Sequence, residues 1–250
     1  MVVDTIFLAA AIPAVLFAGI SKGGFGSGAA FAATPLLALI LEPAQAVGLM
    51  LPLLMMMDVA SLKSYWGKWS KEHALRLALG AIPGVVLGAL VFKNISADGL
   101  RLMVGLVAVG FVAYQLARSR GHLNTGKTFV APFWGYFWGA VSGLTSFISH
   151  AGGPPSTTYL MGSKLGKTAY QATTVIVFWW INLIKFPFYL GLGMLDRGAL
   201  STYPWLVPTA LVGVFIGVRA HNMIPETIFF RITYVLLTIT GAKLILDALT

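Results

Sequence analysis

Ten apolar stretches, at roughly 5–20, 29–42, 45–62, 74–92, 99–117, 129–148, 153–162, 169–192, 204–221 and 228–247, fill nearly the whole chain and leave only short polar joints. A water-soluble domain cannot be built on that pattern. Such a domain has roughly a quarter of its residues charged, whereas only 10% of these 250 residues are charged and 58% are hydrophobic. The bilayer must therefore be part of the solvent. About 20 apolar residues span its hydrocarbon core once as a helix. The length thus allows about eight helical segments with short loops and no separate soluble domain. The fold class expected is an all-α membrane protein, a polytopic helical bundle. Met1 to Asp4 lack the basic start of a cleaved signal peptide, so the first stretch is expected to be retained.

The charges that remain are unbalanced, 17 Lys and Arg against 8 Asp and Glu. In a multi-pass chain the excess reads as cytoplasmic loops. No loop is long enough to present a basic surface to nucleic acid. Cysteine is absent, which excludes disulfides, thiolate metal sites and cysteine nucleophiles. Four dispersed histidines and an isolated Asp58 form no acid pair, metal set or nucleophile with its base. No enzyme activity, cofactor or metal is expected.

Two joints differ from the rest. Ser21–Gly28 (SKGGFGSG) and Ser149–Pro155 (SHAGGPP) are rich in Gly or Pro yet lie between apolar runs. Such residues interrupt a helix. Within lipid, an interrupted backbone is tolerable only where protein buries it or it lines a wet cavity. The two breaks also match each other. Ser21 to Gly24 aligns with Ser149 to Gly152 at an offset of 128, Ala44 to Val47 with Tyr170 to Thr173 at 126, and Gly84 to Gly88 with Gly213 to Gly217 at 129. Three ordered matches at nearly one offset predict two transmembrane repeats, 1–120 and 125–250.

If each half crosses an odd number of times, the repeats are inverted. Lys63, Lys68, Lys71, Arg76, Arg118, Arg120, Lys127, Lys164, Lys167, Arg219 and Arg231 then share the cytoplasmic side. Lys93, Arg101, Arg197 and Lys243 lie opposite, and Lys22 and Lys185 stay within the membrane. That is 11 against 4; an even number per half gives 9 against 6. The inverted arrangement fits the positive-inside rule better.

Inverted repeats whose broken helices meet near the midplane are a recurrent transporter plan. Helices restarting at Gly28 and at Pro154–Pro155 would aim unpaired N–H groups at an anion. The substrate-binding residues expected are Ser21, Lys22, Gly23, Gly24, Ser27, Gly28, Ser149, His150, Gly152, Gly153 and Asn182, with Ser156 and Thr157 adding hydroxyls. Lys22 and His150 hold matching places, and His150 adds a group that titrates near neutrality. Asp58 and Lys185 are ionisable groups inside apolar runs, where such groups are costly. They read either as coupling residues, with His150, or as an ion pair with each other. Gln171 and Asn182 also suit helix-to-helix hydrogen bonds. Met55 to Met57 and the pair Trp179 and Trp180 read as packing.

The stretches GISKGGFGSGAAFAATPLL (Gly19–Leu37) and GLTSFISHAGGPPSTTYLM (Gly143–Met161), with the duplicated layout, resemble the TauE/SafE family of sulfite and organosulfonate exporters. The resemblance covers nearly the whole chain. It implies a bacterial inner-membrane permease for a small sulfur-containing anion such as sulfite or sulfoacetate, working by alternating access between two repeats. A channel or permease for another small anion is the alternative. The partners implied are that anion and the lipid bilayer.

The topology is open to direct measurement. A reporter fused after Thr250 is expected on the periplasmic side and one inserted at Asn124 on the cytoplasmic side. The same side for both would end the odd-crossing arrangement.

Overall fold

Lipid offers no hydrogen bonds to a peptide group, so apolar stretches of this length close their backbone bonds within helices. A computed structural model of the protein, describing residues 4–25, 29–120, 131–195, 197–221, 223 and 226–250, is 86% helical, with no strand among the described residues. Helix α1 (Thr5–Ile20) runs into a π-helical turn (Ser21–Phe25). A 3-10 turn (Ala30–Ala32) leads into the short α2 (Ala33–Leu37). Then come α3 (Pro43–Tyr65), α4 (Lys71–Asn94), α5 (Ala97–Ser119), α6 (Pro132–Ser149), α7 (Gly153–Gly162) and α8 (Lys167–Gly191). A 3-10 turn (Arg197–Ser201), α9 (Tyr203–Ala220) and α10 (Glu226–Leu249) complete the described chain. Local signals set the ends: the Asp4 carboxylate accepts from Phe7 N–H at 2.7 Å, and Pro43, Pro132 and Pro204 fall in first turns, where a missing N–H costs nothing.

Seven helices among the described residues are long and apolar enough to cross a membrane: α1 with its π turn, α3, α4, α5, α8, α9 and the Phe230–Leu249 part of α10. The protein is therefore a multi-pass membrane protein. Exposed side chains such as Leu79, Leu87, Phe215, Ile216 and Ile239 give the outer helices the apolar face that lipid requires. The shorter α2, α6 and α7 flank the two predicted breaks.

The basic joints gather at one end of the bundle. Phe25 after α1, Arg118 near the end of α5, Lys164 between α7 and α8, Lys167 at the start of α8, and Phe230 in α10 line one recess there. At the other end, Glu42, Gln45, Arg101, Asp247 and Thr250 line a second.

Four helix pairs dominate the packing: α4 on α6, α1 on α9, α5 on α10 and α3 on α8. The first two rest on bare backbone contacts. A Cβ on Gly84 would lie 1.9 Å from the Ala140 carbonyl oxygen, and one on Gly217 would lie 2.3 Å from that of Ile20. Such approach is the use of small-residue faces in membranes, where van der Waals packing drives association. The glycine pairs that align in the sequence, Gly84/Gly88 and Gly213/Gly217, thus each receive the first helix of the opposite half.

Because backbone atoms cannot swing aside, Gly84→Val and Gly217→Val should each cost on the order of 1–3 kcal/mol and lower the thermal unfolding midpoint in detergent. Gly110→Ala, with nothing within 4 Å of the added methyl, should leave that midpoint unchanged or raise it.

Candidate functional site

The first break is a widening before it is an interruption. In the π turn, three successive carbonyls turn to side chains from elsewhere. The Gln171 amide donates to Lys22 O at 2.7 Å, the Tyr65 hydroxyl to Gly23 O at 2.7 Å, and His221 Nδ1–H to Gly24 O at 2.6 Å. A carbonyl can only accept, so His221 carries its proton on Nδ1. Gly23 and Gly24 lie against α9, where a Cβ would meet Val214 O at 2.3 Å and Gly217 O at 2.2 Å. π turns of this kind often mark functional positions in helices.

The second break is sharper. Helix α6 stops where His150 enters the left-handed region, φ 57. The His150 and Ala151 N–H groups then close back onto Ser146 O and Thr145 O at 2.9 and 3.3 Å, satisfying carbonyls a helix end leaves open. The Ser142 hydroxyl donates to Gly152 O at 2.6 Å, and the Thr145 hydroxyl to Ala151 O at 3.0 Å. Gly152 has φ −74, so its lack of a side chain serves close approach: a Cβ would meet Phe178 and Ser142 at 2.7 Å. Helix α7 restarts at Gly153. Pro154 and Pro155 follow, and neither has an N–H, so this N-terminus offers an anion fewer donors than an ordinary one.

Side chains therefore carry the potential between the breaks. Lys22, on the first, forms an ion pair with Asp58 of α3, both buried. Asn182 Nδ2 donates to the second Asp58 oxygen at 2.8 Å, and the Lys22 ammonium sits 5.7 Å from the Phe178 ring centre. On the second break, His150 Nε2 is 2.9 Å from Val47 O and Nδ1 is 2.8 Å from Lys185 Nζ. The Val47 carbonyl needs a donor, which places the imidazole proton on Nε2 and leaves Nδ1 to accept from the Lys185 amine. Lys185 Nζ also lies within hydrogen-bond distance of Ser146 O and Oγ, both at 3.0 Å. Two lysine amines, one imidazole and one carboxylate thus meet at the centre of the bundle. Lys22, Ser146, His150, Phe178 and Asn182 line a small cavity there of about 10 Å³, room for about one water.

A profile of the sulfite exporter TauE/SafE family matches residues 11–244. The chain belongs to that family. TauE/SafE proteins are membrane transporters, which accords with seven apolar helices surrounding a buried polar centre. Comparison with functionally described proteins and with solved structures returned no match.

In this TauE/SafE protein the residues singled out by sequence play different parts. Lys22, His150, Asn182, Asp58 and Lys185 converge on the centre. Gly23, Gly24 and Gly152 serve close packing, and buried Ser21, Ser149 and Gly153 belong to the break segments. Ser156 and Thr157 are engaged by Ser142 and Tyr170 at 2.8 Å each. Ser27 and Gly28 lie outside the described residues, and the described chain resumes helical form at Ala30. Asp58 and Lys185 do not pair with each other; each has a partner on a break. Sequence reasoning passed over Ser146, Phe178, Tyr65, Tyr189 and His221. A polar group inside an apolar helix was the available signal for Tyr189, whose hydroxyl donates to Phe147 O.

The Lys22–Asp58 pair can be tested apart from transport. Losing one partner of a buried pair strands the other's charge and costs about 3–5 kcal/mol, whereas replacing both with apolar groups is often neutral. Lys22→Met and Asp58→Leu alone should therefore lower the thermal midpoint sharply. The double variant should recover most of it.

Proposed function

We propose that the protein is a secondary transporter exporting a small sulfur-containing anion across the bacterial inner membrane, sulfite first or a short organosulfonate such as sulfoacetate. The observation carrying this reading is the cluster of basic side chains buried where the two breaks meet, with Lys22, His150, Ser146 and Asn182 around one cavity and Lys185 bonded to His150. Charge within a bilayer is costly and marks ion pathways. An anion would use the ammonium groups as charge-assisted donors and the serine and asparagine as neutral ones. At Lys22 it competes with Asp58, so binding exchanges one carboxylate for another oxyanion. Sulfur specificity rests on family membership.

The same reading takes residues 1–120 and 125–250 as inverted repeats. The α1–α9 and α4–α6 packings support it, because each joins the first helix of one half to the third long helix of the other. A cavity of about one water supports a carrier over an open channel: a bound oxyanion requires helices around it to move. Alternating access then consists of opening this centre to each end in turn.

Binding and flux in proteoliposomes, with sulfite, sulfoacetate, taurine, sulfate and acetate side by side, tests the substrate class. The double variant Lys22→Met/Asp58→Asn removes the pair without stranding a charge. Its affinity for sulfite should fall about ten- to a hundredfold, the worth of one charge-assisted hydrogen bond, with the fold retained. Unchanged affinity would take Lys22 out of the site.

A further inference from the structure

The recess at the basic end is separate from the central cavity and far larger, about 680 Å³. Arg118 of α5, Lys164 and Lys167 line it, with no Asp or Glu in its described lining. Thr157 and Tyr170 add hydroxyls 2.8 Å apart. Phe25, last residue of the π turn that carries Lys22, also lines it, and Tyr170 precedes the Gln171 that binds the Lys22 carbonyl. The recess and the centre therefore share two segments of chain.

Three observations distinguish this lining from a scatter of loop charges. Arg118 is half-buried, so its charge acts inside a concavity, where low-dielectric walls focus the field. Lys167 is anchored by its ammonium on the His221 carbonyl. Lys164 has φ 52, a left-handed backbone that disfavours L side chains. His150 is the other non-glycine residue with positive φ among the described residues, so both such positions carry a basic side chain facing a cavity. The recess at the opposite end differs. There Arg101 is bonded to Glu42 and Asp98 at 3.5 and 2.7 Å, and Asp247 also lines the space.

We infer that the basic recess is an anion-capture port, a second site that gathers the substrate oxyanion from the end bearing Arg118 and Lys164 before it reaches Lys22. This rests on the anion-transport reading above. The port raises encounter rate from one side; it does not set the direction of net flux, which the driving gradient decides.

The experiment is sulfite flux in proteoliposomes of determined orientation, at low and high salt, for wild type, Arg118→Gln and Lys164→Gly. The glycine variant relieves backbone strain while removing charge, so its thermal midpoint should hold or rise. Each variant should raise KM from the basic end by about 3- to 10-fold, within the range that focused fields give. It should also flatten the salt dependence and leave kcat and the KM from the other end unchanged. Wild-type flux with unmoved KM and salt dependence in both variants would overturn the port alone. Absence of anion flux in wild type would overturn the transport reading and the port with it. A repeat in vesicles of neutral lipid separates a headgroup from a free anion: a variant effect that appears only with anionic lipid would assign the cations to lipid and overturn the port.

Discussion

A peptide carbonyl inside a bilayer has no water to fall back on, and the architecture follows from how two interrupted helices meet that demand. At the first break the donors come from distant elements: Gln171 on α8, Tyr65 on α3 and His221 just beyond α9. At the second, Ser142 and Thr145 of the preceding helix supply much of what is needed. The first break is thus held by its surroundings, while the second is largely a self-satisfied hairpin of α6 and α7. Displacing that hairpin leaves its internal bonds intact. It must exchange the bonds from Lys185 and Tyr189 and the one to Val47.

The centre repeats this logic with charge. Lys22 and Lys185 are buried amines, one paired with a carboxylate and the other held by a carbonyl, a hydroxyl and an imidazole. The first arrangement favours exchange of one anion for another. The second holds an amine among neutral partners, with no carboxylate bonded to it among the described residues. A hydrophobic replacement for such groups would often be more stable.

The class of fold was legible because scarcity of charge over 250 residues admits one solvent. The two breaks were legible because Gly and Pro clusters within apolar runs have few other uses. Lys22, His150, Asn182, Asp58 and Lys185 stood out as polar groups in apolar stretches, and they converge. Their pairing was not legible. Asp58 and Lys185 occupy comparable positions in the two halves, which suggested a mutual bridge, whereas helix packing gives each a partner on a break. Backbone conformation at the second break was not legible either. Sequence reasoning assigns positive φ to glycine, yet His150 takes it while Gly152 serves close contact with Phe178 and Ser142. Tyr65 and His221 escaped notice because their task, capping carbonyls of a turn remote in sequence, leaves no local pattern.

The crossed packing of α1 on α9 and α4 on α6 bears on how the protein is made. When the ribosome has finished α5, the glycine faces of α1 and α4 have no partners, since both partners belong to chain not yet synthesised. The insertion machinery must therefore release an early half whose tightest surfaces still face lipid, and hold it until α9 emerges. Final assembly is a late event with long sequence separation, which places it among slow, high-contact-order steps. A nascent chain arrested midway would expose two unfilled glycine grooves to the membrane, the features by which quality control could tell a half-built transporter from a finished one.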